Sequence, residues 1–167
     1  MIPSRPDAFD PLEVFRVLDA CKVRFVVIGG LAGRLWGSPS VTNDVDICYA
    51  RDPAGYRALA VALTDLKARL RGAPESVPFH LDAVALEAGD HFTFATRAGN
   101  LDCLGMPAGS GGFEALRRAA HEMDVGGVVI AVAALPDLIA MKLAAGRPKD
   151  RIEVEILRAL QDETDRR

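Results

Sequence analysis

The stretch RFVVIGGLAGRLWG, residues 24 to 37, narrows the folds open to this chain more than any other segment. A β-branched run over 24–28 is stopped by Gly29 and Gly30, and an apolar segment over 31–37 begins directly behind them. That order predicts a strand, a glycine turn and a brief helix. Two residues without side chains at such a junction allow close backbone approach. They also leave N–H groups free at a helix start, which suits an anion such as a triphosphate.

The next segment, SPSVTND, loops into a second strand predicted over 45–50. Side chains alternate along a strand, so Asp44 and Asp46 point to one face, roughly 6.5 to 7 Å apart at the backbone. Two carboxylates so placed repel each other. They fit a solvated strand end, or a site where divalent cations hold phosphate oxygens. A third acid, Asp102, stands between Leu101 and Cys103 in NLDCLG, where it is tolerable only if it points away from its apolar neighbours. Ser38, Ser40, Thr42 and Asn43 precede the paired aspartates and fit either turn chemistry or a phosphate contact.

Elsewhere the pattern alternates helices and strands. Asp10 as N-cap, Pro11, and Glu13 in a reciprocal capping position predict a first helix over 11–21. Asp52 and Pro53 open a helix on which Leu59, Leu63, Leu66 and Leu70 recur at helical spacing. Residues 72–90 read as a loop with one short helix or strand. HFTFATRAG (91–99) and NLDCLG (100–105) read as a strand pair, followed by a helix over 112–120 and a hairpin turning at Gly126 and Gly127. A helix between Pro136 and Gly146, and another from Pro148 to about 161, close the chain. No repeat or linker divides it, so residues 1–167 are expected to form a single α/β (α+β) domain, a mixed sheet flanked by helices with further helices at the C-terminus.

A net charge of −3 spread along 167 residues gives no broad polycationic surface. Cys21, Cys48 and Cys103 form neither a disulfide framework nor a C-x-x-C pair, and His80, His91 and His121 lack zinc-ligand spacing. The N-terminal segment has no signal-peptide apolar run and no stretch is long enough to span a bilayer, so a cytoplasmic protein with no membrane partner is expected. Trp36 is expected to pack the short helix onto the sheet. Lys142 on an apolar helix fits a phosphate contact or a solvated face equally, and Arg147, Lys149 and Arg151 form a small basic cluster behind it.

The sequence GGLAGRLWGSPSVTNDVDI, with Asp102 on a later strand, resembles the DNA polymerase β-like nucleotidyltransferase superfamily. The tail DLIAMKLAAGRPKDRIEVEIL resembles the bacterial branch that includes AbiEii-like abortive-infection toxins. This resemblance implies the nucleotidyltransferase fold, with Asp44, Asp46 and Asp102 as catalytic and metal-binding residues for Mg²⁺ or Mn²⁺. It places Gly29, Gly30, Ser38, Thr42, Lys142 and Asp150 on the nucleotide. The implied activity moves a nucleoside monophosphate from an NTP to a hydroxyl. A tRNA 3′ end or a protein side chain is the favoured acceptor, in keeping with the toxin of a toxin–antitoxin system that has a cognate antitoxin. Three alternatives stand beside it: an antibiotic-modifying enzyme, a catalytically inactive binding or antitoxin-like module, and a metal-dependent nuclease.

Overall fold

A computed structural model describes residues 9–74 and 80–167. The first eight residues of the segment read for a leader, and residues 75–79 of the 72–90 stretch, lie outside the described residues. The chain runs α1 (Pro11–Ala20), β1 (Phe25–Ile28), α2 (Gly29–Trp36), β2 (Asp44–Tyr49), α3 (Pro53–Asp65), β3 (Arg69–Leu70) and α4 (Ala83–Ala88). It continues through β4 (His91–Thr96), β5 (Gly99–Leu104), α5 (Phe113–Ala119), β6 (His121–Val125), β7 (Val128–Val132), α6 (Leu135–Ala145) and α7 (Pro148–Asp165). The strands form one mixed sheet in the order β3-β4-β5-β2-β1-β7-β6. Two of its pairings, β2 with β5 and β1 with β7, are parallel. This is the expected α/β class. No helix among the described residues is long and apolar enough to cross a membrane.

Local signals account for most boundaries. Asp10 Oδ1 accepts from Glu13 N at 3.2 Å, as an N-cap should. The reciprocal half of the expected capping box is absent: Asp10 N donates to Ala98 O at 3.0 Å, and the Glu13 carboxylate turns to Arg97 at 3.1 Å. Asp52 caps α3 by accepting from Gly55 N at 2.7 Å. Leucine spacing overshoots the end of α3, because Lys67 takes φ 53° and turns the chain so that Leu70 lies on β3. Gly126 and Gly127 take φ 60° and 91°, the left-handed pair that a tight two-residue hairpin requires.

Alternation along β2 and β5 separates two faces. Val45, Ile47, Leu101 and Cys103 are fully buried in the core with Leu18, Leu59 and Leu63. Asp44, Asp46, Asn100 and Asp102 occupy the intervening positions and point the other way. Over that second face the helices α2, α6 and α7 pack together, with Val154 and Leu157 of α7 buried. Trp36 ties α2 to the sheet end, donating Nε1–H to Ala133 O at 2.8 Å and meeting the His121 ring edge-on.

Candidate active site

The two aspartate-bearing strands are parallel neighbours in register, Asp44 opposite Asn100 and Asp46 opposite Asp102. Register partners share a face and stand about 4.8 Å apart, so pairing alone puts the Asp46 and Asp102 carboxyl groups side by side. On the other flank of β2, Asp46 is opposite Ile28, the residue before the glycine turn. Gly29 has φ +70°, and a Cβ built on it would lie 2.1 Å from Asp46 Oδ2. Glycine is therefore required twice over, by the left-handed backbone and by the carboxylate packed on its Cα. Gly30 has a milder constraint, since a Cβ there would meet the Thr42 side chain at 3.2 Å. The glycines do not precede the helix as a separate turn; they form the first turn of α2, which has no side-chain cap on its N–H groups.

A cleft of about 590 Å³ opens over these residues. Its walls include Gly29, Gly30, Thr42, Asp44, Asp46 and Asp102 from the sheet side, and Lys142, Arg147, Lys149, Asp150 and Glu153 from α6 and α7. Leu138, Met141, Leu104, Pro107 and Ala108 add an apolar wall. Burial, then the adjoining Asp102 carboxyl and the charge of Asp44, push the Asp46 carboxyl up to about 7 against the opposing charge of Lys142. Asp102 Oδ1 is inaccessible and accepts no hydrogen bond. Among the described residues no three acidic, histidine or cysteine side chains already converge on one point as a preformed metal site.

Six of the nine residues expected at the site, Gly29, Gly30, Thr42, Asp44, Asp46 and Asp102, line the cleft from the sheet side. Lys142 and Asp150 reach it from the helices. Asp150 does so with its carboxylate fully engaged: it is 2% exposed and accepts from Arg147 N (3.1 Å), Nε (2.8 Å) and Nη2 (3.2 Å), and from Lys142 Nζ (3.5 Å). Burial works against its ionisation, but the Arg147 hydrogen bonds and the charges of Lys142 and Arg147 outweigh it and hold the carboxyl below the usual range. In this arrangement its carboxylate holds two cations, Lys142 and Arg147, at the cleft wall. Ser38 is not brought into the cleft. It is 4% exposed and donates to Glu153 Oε1 at 2.9 Å, while Ser40 donates to Glu153 Oε2. Glu153 thus pins the loop before β2 to α7. Among the basic residues of the tail, Arg147 and Lys149 face the cleft. Arg71, whose Nη2 lies 3.0 Å from Asp102 Oδ1, had no signal in the sequence, because only sheet pairing brings it there.

No protein-family model and no curated protein matches the chain. Solved structures do. A candidate nucleotidyltransferase from Thermotoga maritima superposes with a TM-score of 0.55 at 20% identity, covering 94% of this chain and 91% of that one. The antibiotic-resistance factor ANT(2'')-Ia superposes at 0.56 with 15% identity over 92% of this chain and 82% of that one. The lincosamide antibiotic adenylyltransferase LnuA, solved with lincomycin bound, superposes at 0.57 with 15% identity over 92% and 99%. This chain has the nucleotidyltransferase fold. In the nucleotidyltransferase fold of this chain, the acids, the glycine turn and the helix cations, drawn from residues 29 to 153, meet in one cleft.

Proposed function

We propose that the protein is a Mg²⁺-dependent nucleotidyltransferase that moves a nucleoside monophosphate from an NTP to a hydroxyl, with Mn²⁺ as a substitute metal. The observation that carries this reading is the Asp46–Asp102 pair across β2 and β5, pressed against Gly29 at the uncapped start of α2. Asp44, Asp46 and Asp102 suit a hard divalent cation. They supply oxygen ligands only, burial and then the adjoining carboxyl groups push Asp46 up to about 7, and Asp102 Oδ1 accepts no hydrogen bond although Arg71 Nη2 lies 3.0 Å from it. When bound, the metal would neutralise triphosphate charge and polarise the α-phosphoryl group.

The protein's own groups divide the remaining work. The Gly29–Gly30 turn presents backbone N–H groups to phosphate oxygens, and the α2 terminus favours negative charge there. Lys142, aimed by Asp150, lies across the cleft as a second neutralising charge. Asp102 takes the proton of the attacking hydroxyl. The acceptor oxygen bonds to the α-phosphorus, the bond from that phosphorus to its bridging oxygen breaks, and pyrophosphate departs with the electron pair. Little covalent participation is asked of the protein, so positioning and charge supply the rate.

Two kinds of acceptor are in view. A macromolecular hydroxyl, a tRNA 3′ end or protein side chain, accords with a toxin that has an antitoxin partner and rests on the resemblance of the tail to AbiEii-like proteins. A small-molecule acceptor is favoured by the likeness to ANT(2'')-Ia, solved also with adenylyl-2''-tobramycin, and to LnuA. Calorimetric titration of each NTP with Mg²⁺ into the wild type and Asp44→Asn/Asp46→Asn tests the common core. Metal-dependent binding lost in the double variant is expected; absence of NTP binding to the wild type would leave a catalytically inactive module.

A further inference from the structure

Glu153 is a buried carboxylate, 8% exposed, and both of its oxygens accept from hydroxyls of the loop before β2. Ser38 Oγ donates to Oε1 at 2.9 Å, and Ser40 Oγ donates to Oε2. A carboxylate in such a place is costly unless its oxygens are satisfied, so the two hydroxyls and the acid depend on each other. Helix α2 leaves room for the contact, since a Cβ on Gly33 would lie 3.1 Å from Oε1. The same helix grips the loop from its other side: Arg34 Nη1 donates to Ser40 O at 3.0 Å, and Gly33 O accepts from Ser38 N at 2.9 Å. Two residues beyond Ser40 is Thr42, whose side chain would meet a Cβ on Gly30 at 3.2 Å and whose Oγ1 donates to Asp44 O at 3.2 Å. Thr42 lines the cleft, and Ser38 does not.

Three residues before Glu153 on α7, Asp150 holds Lys142 and Arg147 at the cleft wall. One turn of α7 therefore ties down both the cations and the loop that faces them. We propose that Glu153 is a positioning residue for the nucleotide, and that through Ser38 and Ser40 it holds Thr42 against the Gly29–Gly30 turn, at a set distance from Lys142 and Arg147. The inference rests on the transferase reading and adds to it Ser38, a residue that acts on the nucleotide from outside the cleft. Glu153 itself reaches the cleft, where its negative charge opposes a triphosphate. Charge alone predicts that neutralising Glu153 tightens NTP binding. The positioning role predicts that breaking its hydrogen bonds loosens NTP binding, and the two effects have opposite signs.

Calorimetric titration of each of the four NTPs with Mg²⁺ into the wild type, Glu153→Gln, Glu153→Leu and Ser38→Ala tests this, at a temperature where denaturation curves show each variant folded. Both Glu153 variants lose the same charge, and only glutamine can still exchange hydrogen bonds with two hydroxyls. Glu153→Gln should bind NTP as tightly as the wild type or more so, whereas Glu153→Leu should bind it about tenfold more weakly. Ser38→Ala should also weaken binding, by about threefold to tenfold, and should add nothing further in the Glu153→Leu background. In a readout that needs no nucleotide, amide hydrogen exchange over residues 38–44 should quicken in Glu153→Leu and Ser38→Ala and stay as in the wild type in Glu153→Gln. Equal NTP affinities for Glu153→Leu and Glu153→Gln, wild-type affinity in Ser38→Ala, or unchanged exchange over 38–44, each overturns the inference alone while NTP binding to the wild type stands. If Glu153→Leu does not fold, Ser38→Ala decides by itself. A wild type that binds no NTP overturns the transferase reading and the inference with it.

Discussion

Asp46 and Gly29 show how closely one residue's chemistry depends on its neighbour. The carboxylate lies on the Cα of a glycine held at φ +70°. Gly29→Ala should cost about 1–3 kcal/mol, from the left-handed backbone and the displaced carboxylate together. Urea denaturation measures the stability loss, and calorimetry should show NTP affinity falling with it. Asp46 itself carries a folded-state burden. Its carboxyl titrates at about 7 in the fold against 3.8 for the free group. Between those values the unfolded chain has released a proton that the folded protein retains, so stability falls as pH rises through this window and levels off above it. Asp46→Asn should remove that slope and make the metal-free protein more stable than wild type at pH 8, although it would no longer bind metal-dependent nucleotide. Denaturation curves from pH 4 to 8 in EDTA check the sign.

At the scale of elements, the helix pair α6–α7 acts as one wall because its charges are tied to each other. Asp150, in the first turn of α7, holds Arg147 ahead of it and Lys142 on α6. Asp150→Asn should release both cations, weaken NTP binding about tenfold, and lower stability by about 1–3 kcal/mol, since one partner is partly exposed and the other mostly buried. Calorimetry of NTP binding, set against Lys142→Ala, separates misaimed cations from a missing one. Glycine turns, proline starts and aspartate caps made most element boundaries readable, as with Asp52 before α3 and Gly146 after α6. The leucine series through Leu70 misled because periodicity does not register a left-handed residue such as Lys67, where the helix stops.

On the scale of the whole molecule, the cleft is closed by parts that are far apart in the chain. Its floor comes from β1, β2 and β5, and its far wall from α6 and α7, whose Leu138 and Val154 also belong to the main core. A ligand that bridges floor and wall should therefore stabilise the folded chain as one unit. NTP with Mg²⁺ at about a hundredfold its Kd should add about 2.7 kcal/mol and raise Tm by about 5–10 °C. Differential scanning fluorimetry with and without EDTA reads this directly, and a shift independent of the metal would contradict the proposed carboxylate site.

The amino-acid sequence by itself determined the class of the fold and the floor of the cleft. Alternating Asp44, Val45, Asp46 and Ile47 sets which side of β2 is buried, and the Gly29–Gly30 stop sets where α2 begins; both are local consequences of strand geometry and backbone freedom. Pairing partners were not legible, because strand order is a property of the assembled sheet. Only the tertiary structure decided that Asp102 stands beside Asp46, that Arg71 stands behind Asp102, and that Ser38 turns away from the cleft to Glu153. Each of those contacts joins residues tens of positions apart. Their proximity comes from packing one buried face of the sheet against a common core, which no spacing along the chain records.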